Sequence, residues 1–434
     1  MAKFFADMMA TLFEIRSARL LQASPDAGTM ADRIEALLSG EGEVSGMMLA
    51  KEILSRYQAM DDAAKCEFFA YLAEHLDLDP DSVNAAIEAY RAGRSVETLH
   101  RLSRAAEPRR QELLRRLNQA PGATVWLVRM RRDLLRLMPQ MTELGVIDAD
   151  FQHLFSSWFN RGFLVLRQID WSTPANILEK IIEYEAVHAI NDWQELRRRL
   201  LPRDRRCFAF FHPAMPEEPL IFVEVALCRG IPGSVQVLLG EDREPLHDSE
   251  IDTAVFYSIS NCQEGLKGIS FGNLLIKQVV EELARDLPGL KSFVTLSPLP
   301  GLNRWLKEIS SDHPELATLL SRIENGDTQA IADNRDWLRR LCVEYLLEGK
   351  RSDGLPYDPV ARFHLANGAL VHDVHTLADV SGNGWKQSST MMVNYLYDLP
   401  LVSRNSERYS AAKAVSASRQ LEQLLRKDRN RRRA

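Results

Sequence analysis

Cysteine is scarce in this chain and none of it is paired by spacing. Cys66, Cys207, Cys228, Cys262 and Cys342 form no CxxC pair, which argues against a thiolate zinc site or a disulfide scaffold and suits a reducing compartment. Long apolar runs are missing as well. The opening residues, MAKFFADMMATLFEIRSARLL, carry Asp7 and Glu14 with no small-residue cleavage site behind an apolar core, so they read as an amphipathic helix rather than a signal peptide or a membrane span. There is no excess of positive charge: 54 Lys and Arg against 60 Asp and Glu leave a net charge of −6, which gives no general pull toward nucleic acid. No fixed repeat period is present, which excludes a solenoid. The chain ends Arg431-Arg432-Arg433-Ala434, without a Ser-Lys-Leu peroxisomal address.

What is present begins with helical periodicity. The 434 residues suffice for two or three domains, and residues 4–138 read as helices with no convincing strand. Helix starts are expected at Thr29, Ser45, Asp61, Asp79 and Pro108, with Gly40 and Gly93 as stops, because Ser, Thr and Asp satisfy the first free N–H groups and glycine tolerates the terminal turn. Short connections then imply an antiparallel bundle. Two basic amphipathic segments, RRQELLRRL and LVRMRRDLLRLM, fall at residues 109–138. With acids interspersed they read as a solvated face or an intersubunit patch rather than a nucleic-acid or membrane helix. Asp170-Trp171-Ser172-Thr173-Pro174 introduces a helix capped by Ser172 or Thr173, with Pro174 in its first turn. His188 is expected on a helix as a packing residue.

From Cys207 the pattern changes. CFAFFH, LIFVEVAL and SVQVLL read as strands, and strands then alternate with helices, which indicates a mixed α/β domain. Beyond Gly301 the chain returns to helices, with residues 327–347 the clearest case. Residues 359–400 read as helix and loop, and a last helix spans residues 406–426.

The stretch from Ala254 to Leu302 organises the rest. A short apolar run, Ala254 to Ile259, reads as a buried strand. A glycine-spaced loop follows, and then Leu274, Leu275, Val279, Val280 and Leu283 recur at helical spacing before a second strand at Ser292 to Leu296. Strand, glycine loop and helix in that order suit anion binding, since Gly265, Gly268 and Gly272 let the backbone approach a ligand and the first helical N–H groups lack internal partners. The loop has neither the Gly-Lys-Ser/Thr ending of an NTPase nor the spacing of a dinucleotide site, which leaves the pyrophosphate of coenzyme A. Pro298 and Pro300 stop the second strand at Ser297. By spacing alone Ser297 reads as the cap of a helix starting near Asn303. His364, just before Asn367 and Gly368, reads as a hydrogen-bonded structural residue. His372 and His375 are three apart but have no third ligand at useful spacing.

Taken together, WFNRGFLVLRQIDWSTPA, EYEAVHAI, FYSISNCQEGLKGISFGNLLIKQVVEELARDLPGLKSFVTLSPLPG, FHLANGA and LADVSGNGWKQSSTMMVNYLY resemble the malonyl-CoA decarboxylase family, in order, from about Leu154 to Tyr397. The resemblance implies an α+β multidomain chain: an all-helical N-terminal bundle for oligomer contacts, residues 1–160, and a GNAT-like mixed α/β catalytic domain, residues 161–434. It assigns substrate binding to Lys267, Gly268, Ile269, Ser270, Phe271, Gly272 and Asn273, and catalysis to Ser297 and His364. Animal members carry an acidic residue where this chain has Ser270, so no role of that carboxylate transfers. The implied reaction converts malonyl-CoA to acetyl-CoA and carbon dioxide through an enolate that a histidine protonates. No metal or cofactor is expected, because the thioester is itself the electron sink. The expected partners are the two thioesters and further copies of the chain, as a homotetramer built from dimers, with no nucleic acid and no membrane. A cytoplasmic location is the simplest expectation. Acyl transfer to an amine, or CoA sensing without chemistry, are the other uses open to such a fold.

Overall fold

The computed structural model describes residues 28–40, 42–241, 243–269, 275–311 and 313–433, with side chains described to Arg426. The helix expected within the first 21 residues lies outside them. Two compact units result, one reaching Asn160 and including Gln263–Ile269, the other formed by Arg161–Cys262 and the residues from Ser270 onward.

The first unit is helical, with helices Met30–Ser39, Glu43–Gln58, Asp62–His75, Pro80–Ala92, Val96–Ala105, Arg109–Leu117, Ala123–Leu137 and Gly145–Trp158. Thr29, Asp61 and Asp79 cap their helices through side-chain oxygens, and Gly40 and Gly93 close two of them. The second helix begins earlier than Ser45, behind Gly42. The basic pair departs further from expectation. Arg110 and Arg131 are 4% and 1% exposed, inside the unit, because Asp150 and Asp148 on the Gly145–Trp158 helix meet them. A buried guanidinium is tolerable only with such a partner. The acids that neutralise the arginines sit on the following helix as well as among them, where helical periodicity does not reveal the pairing.

The second unit is built on one mixed sheet. Its strands are β1 Val165–Ile169, β2 Arg205–His212, β3 Met215–Cys228, β4 Thr253–Asn261, β5 Ser292–Thr295, β6 Ser297–Pro298, β7 Leu370–His375 and β8 Met392–Leu396. They lie in the order β1-β2-β3-β4-β5-β8-β6, with β7 also on β8. Every pair is antiparallel except β4 and β5, which are parallel. The crossover between those two contains the helix Leu275–Asp286, which buries Leu275, Ile276, Val279, Val280 and Leu283 as its periodicity predicts. The helices Ala175–Tyr184 and Trp193–Leu200 pack Ile177, Leu178, Ile181 and Leu196 on Cys207, Ala209, Phe211 and Phe222. A helical unit followed by a mixed α/β unit is the architecture the resemblance implies.

Several local expectations are corrected. SVQVLL is not a strand: Val235–Leu239 is a short helix that buries Val235 and Leu238, one turn apart, and leaves Val237 exposed. Residues 327–347 form two helices, Thr328–Asp333 and Arg335–Leu347, parted at Asn334. The terminal helix is likewise divided, into Val402–Ala412 and Arg419–Arg433, by Lys413 in the left-handed region with φ +52. His188 lies in a loop after the Ala175–Tyr184 helix, and Pro174 occupies the N-cap position itself. Strands β1, β7 and β8 arise where no strand is legible by pattern.

The helix Pro359–Ala366 ends at Gly368, whose φ of +84 closes the turn while Ala369 N–H donates to the His364 carbonyl at 3.0 Å. A Cβ there would overlap the Val402 carbonyl. Gly368→Ala is therefore expected to destabilise the protein by ~1–3 kcal/mol, read as a lowered Tm.

Candidate active site

The parallel ladder pairs Thr253–Phe256 of β4 with Ser292–Thr295 of β5. Its last bond runs from Leu296 N–H to the Phe256 carbonyl, 3.0 Å. Past that point β4 continues to Asn261, but the other chain turns away to form β6, where Ser297 faces Val393 and Pro298 faces Met392 of β8. Proline is accommodated because β6 is the sheet edge. So the second strand does not simply stop at Ser297. It changes neighbours there, and the two parallel strands diverge.

Ser297 is 6% exposed. Its hydroxyl donates to Thr295 Oγ1 at 2.8 Å and lies 3.2 Å from His364 Nε2. The helix Pro359–Ala366 brings the imidazole in. Asp358 caps that helix, accepting Val360 and Ala361 N–H groups at 2.8 Å each, and Pro359 at the first position sets its start. His364 falls in its last turn, 2% exposed. On its far side Nδ1 meets the Tyr397 hydroxyl at 2.8 Å, and Tyr395 stacks on the ring with centroids 4.5 Å apart.

The direction of one bond orders the others. A hydroxyl has one proton, so Ser297, donating to Thr295, accepts from His364 Nε2–H. Nδ1 of the neutral ring then accepts the Tyr397 O–H. This assignment follows from the hydrogen-bond pattern. Burial pushes His364 down to about 3, so the ring is neutral at pH 7, and the same burial drives the Tyr397 and Tyr395 phenols far above their usual range. Behind the pair, Thr295 Oγ1 accepts Tyr395 N–H at 3.2 Å, and Asn394 donates to the Thr295 carbonyl at 2.9 Å while lying 2.5 Å from His375 Nε2.

Of the residues singled out by sequence, the structure brings Ser297 and His364 together. Ser297 is not the helix cap that spacing alone suggests, since the Leu302–Ser310 helix begins behind Gly301, whereas His364 is hydrogen-bonded through both ring nitrogens, as spacing alone suggests. Lys267, Gly268 and Ile269 lie in the helical unit, with Gly268 at φ +81. Ser270, Phe271, Gly272 and Asn273 lie outside the described residues. His372 and His375 fall on β7, and among the described residues no group of three or more His, Cys, Asp or Glu is placed to hold a metal. Sequence reasoning missed Thr295, Tyr395 and Tyr397. Their signal was the strand period of two, in Thr-Leu-Ser and in Tyr-Leu-Tyr.

Elsewhere in this unit a second buried cluster forms around β3 and β4. Glu185 accepts the backbone N–H groups of Val187 and His188 at 2.8 Å each and takes the Ser258 hydroxyl. Arg199 donates to Glu224 at 2.9 Å and to the Ala189 carbonyl at 3.1 Å. Burial pushes Glu224 up to about 7 despite that cation, and lowers His188 to about 4.

A mixed α/β sheet whose one parallel pair opens beside a buried hydroxyl and imidazole is an arrangement suited to an enzyme of the carboxy-lyase kind. A family model for the malonyl-CoA decarboxylase C-terminal domain matches residues 162–434, and one for the malonyl-CoA decarboxylase N-terminal domain matches residues 76–159. The chain belongs to the malonyl-CoA decarboxylase family, whose members are carboxy-lyases. It is similar to the mitochondrial malonyl-CoA decarboxylase of Rattus norvegicus, 33% identical with 86% of this chain and 84% of the relative covered. That of Anser anser anser is 36% identical over 72% of this chain and 69% of the relative. The crystal structures of malonyl-CoA decarboxylase from Rhodopseudomonas palustris and Agrobacterium vitis are each 49% identical with a TM-score of 0.86, covering 91% of this chain and 98% and 99% of theirs.

Proposed function

We propose that the protein decarboxylates malonyl-CoA to acetyl-CoA and carbon dioxide, with Ser297 and His364 acting on the malonyl group. The 3.2 Å approach of the serine hydroxyl to the imidazole, in a buried position where β4 and β5 part, carries this reading. Family membership supports the substrate, and the role of Lys267 to Asn273 in holding coenzyme A rests on the resemblance.

In the reaction the bond between the carboxylate and the central carbon breaks, its electrons pass to the thioester carbonyl, and carbon dioxide leaves. The resulting enolate takes one proton at carbon. A hydrogen-bond donor on the developing oxyanion contributes ~3 kcal/mol and a placed acid ~10²–10⁴ in rate. Because burial holds His364 neutral in the free enzyme, the ring takes up a proton from solvent as the carboxylate substrate binds. The malonyl carboxylate brings negative charge to the ring, favours the imidazolium, and that proton then goes to the carbon. Ser297 accepts from Nε2–H and fixes the direction in which the ring delivers it.

The deciding assay incubates purified protein with malonyl-CoA and a chelator. Carbon dioxide and acetyl-CoA are expected in equal amounts at an undiminished rate. Free CoA with an acylated acceptor would mark acyl transfer instead, and thermal stabilisation by the thioester without product would mark a sensor.

Residues 1–160 are proposed to serve subunit contacts in a homotetramer, supported by the Val96–Ala105 helix, which buries none of its residues and leaves Val96 and Leu99 exposed. Sedimentation velocity tests this. The five free cysteines support a reducing compartment, and a cytoplasmic location is proposed on that ground. No helix among the described residues is long and apolar enough to cross a membrane.

A further inference from the structure

Ser297 and His364 arrive on separate segments. From Ser297 the chain runs through Gly301 into the helix Leu302–Ser310, and from Asp358 it runs as the helix Pro359–Ala366 to the histidine. β8 holds the serine by a ladder of two residues, Ser297 and Pro298, so little backbone bonding on that side fixes its 3.2 Å distance from the ring.

A second attachment is made at Asp358. Its carboxylate is 0% exposed. Oδ1 takes the Val360 and Ala361 N–H groups, and Oδ2 accepts the Tyr345 hydroxyl at 3.0 Å. Tyr345 comes from the Arg335–Leu347 helix and is likewise 0% exposed. Its hydroxyl lies against the turn that leaves β6, where a Cβ added at Gly301 would overlap it. Burial pushes the Asp358 carboxyl above its ordinary value, and hydrogen bonds from Ala361, Tyr345, Val360 and Gly301 oppose that rise. The rings nearby join the same two segments. Tyr345 packs on Trp305 of the Leu302–Ser310 helix with centroids 5.4 Å apart and on Tyr357, beside Asp358, at 6.1 Å, while the Tyr357 hydroxyl donates to Glu308 at 3.1 Å.

Capping alone does not call for this arrangement, since a cap uses one side-chain oxygen and the first N–H groups of its helix. The second oxygen goes to a hydroxyl from another helix, and that hydroxyl touches the segment that carries the serine. His364 stands six residues beyond the cap, roughly 9 Å along the helix axis, so the carboxylate acts through the placement of the helix.

We propose that Asp358 and Tyr345 are positioning residues for decarboxylation: together they join the turn after Ser297 to the start of the His364 helix and so set the separation of hydroxyl and imidazole. This rests on the roles of Ser297 and His364 proposed above. A displacement of about 1 Å costs ~10² in rate, so slackening of this junction is readable in kcat.

Three variants separate the junction from the cap. Tyr345→Phe removes the hydroxyl and leaves Asp358 on its helix. Gly301→Ala keeps both side chains and drives a methyl into the hydroxyl, while its backbone, at φ −100, accepts alanine. Asp358→Ser retains a capping oxygen on a side chain too short to serve Tyr345. Each is assayed below its Tm for kcat and KM, for CoA affinity by isothermal titration, and for deuterium uptake over residues 299–302. The expected result is a fall in kcat of about ten- to hundredfold, with KM and the CoA Kd within about threefold of wild type and faster uptake in that segment. Tyr345→Phe combined with Asp358→Ser should lose no more than the worse single variant, because both break one junction. Should Asp358→Ser fail to fold, the other two decide. Unchanged kcat in Tyr345→Phe and Gly301→Ala, even with a lowered Tm, would reduce Asp358 to a structural cap and overturn the proposal, as would a rise in KM at constant kcat. If the wild type released no carbon dioxide, the catalytic reading would fall, and unaltered deuterium uptake in the variants would separately overturn the junction.

Discussion

His364→Asn lowers kcat by ~10²–10⁴, the amount a positioned acid contributes, while CoA binding stays near the wild-type value. Asparagine retains a polar group of similar reach but holds no transferable proton at neutral pH, so the loss belongs to protonation of carbon and not to the fit of the ligand. Titration calorimetry with CoA beside a steady-state assay separates the two. Unaltered turnover at saturation with lost binding would remove the general-acid role. The pH profile gives a second check. The free ring titrates at about 3 because burial disfavours its cation, and kcat/KM reports the free enzyme. If the proton is taken up with substrate, log kcat/KM falls with unit slope across about pH 5–8 and has no plateau below 6.5, where an ordinary histidine would show one. Stability runs the other way. The unfolded ring protonates near 6.5 and the folded one near 3, so the unfolded state binds the extra proton between those values, and stability declines as pH falls through that window.

Arg199→Met produces the largest loss of stability expected of a single change, about 3–5 kcal/mol by denaturant titration. Glu224 is 0% exposed and Arg199 7%, and the substitution leaves a carboxylate in the interior with no cation. The effect separates from simple loss of packing by its dependence on pH. Burial already raises Glu224 to about 7, above the 4.5 at which the unfolded carboxyl ionises, so the native state gives up its proton later and stability declines as pH rises from 4.5 through 7. Without Arg199 that decline steepens and extends upward. Adding Glu224→Gln to Arg199→Met removes the buried charge and restores much of the loss. A single variant as stable as wild type at pH 8 would show that the pair contributes nothing net.

The parts legible in the sequence are those whose cause is local. Thr29, Asp61 and Asp79 announced helix starts because a cap acts within three residues. The apolar run around Val255 is a strand buried in the sheet, and the stripe from Leu275 to Leu283 is a helix. What escaped depends on partners far along the chain. Val235–Leu239 has a strand's composition, yet it packs as one helical turn on Val255, Tyr257 and Val294. β8 reads as loop until β5, β6 and β7 pair with it. The burial of Arg131 is decided by Asp148, on another helix. The Ser297 and His364 pair was reached by resemblance, not by pattern, since 67 residues separate them. Nothing in either segment alone states that β6 and the end of a helix meet.

The brevity of β6 has a dynamic consequence. Ser297 is held by a ladder of two residues at the sheet edge, one of them a proline without an N–H, whereas β8 is bonded along both sides by β5, β6 and β7. Amide deuteration should therefore reach the turn around Leu299 and Gly301 well before it reaches Val393 or Tyr395. An excursion of that edge would part the Ser297 hydroxyl from the His364 imidazole without unravelling the sheet, at a cost below that of global unfolding.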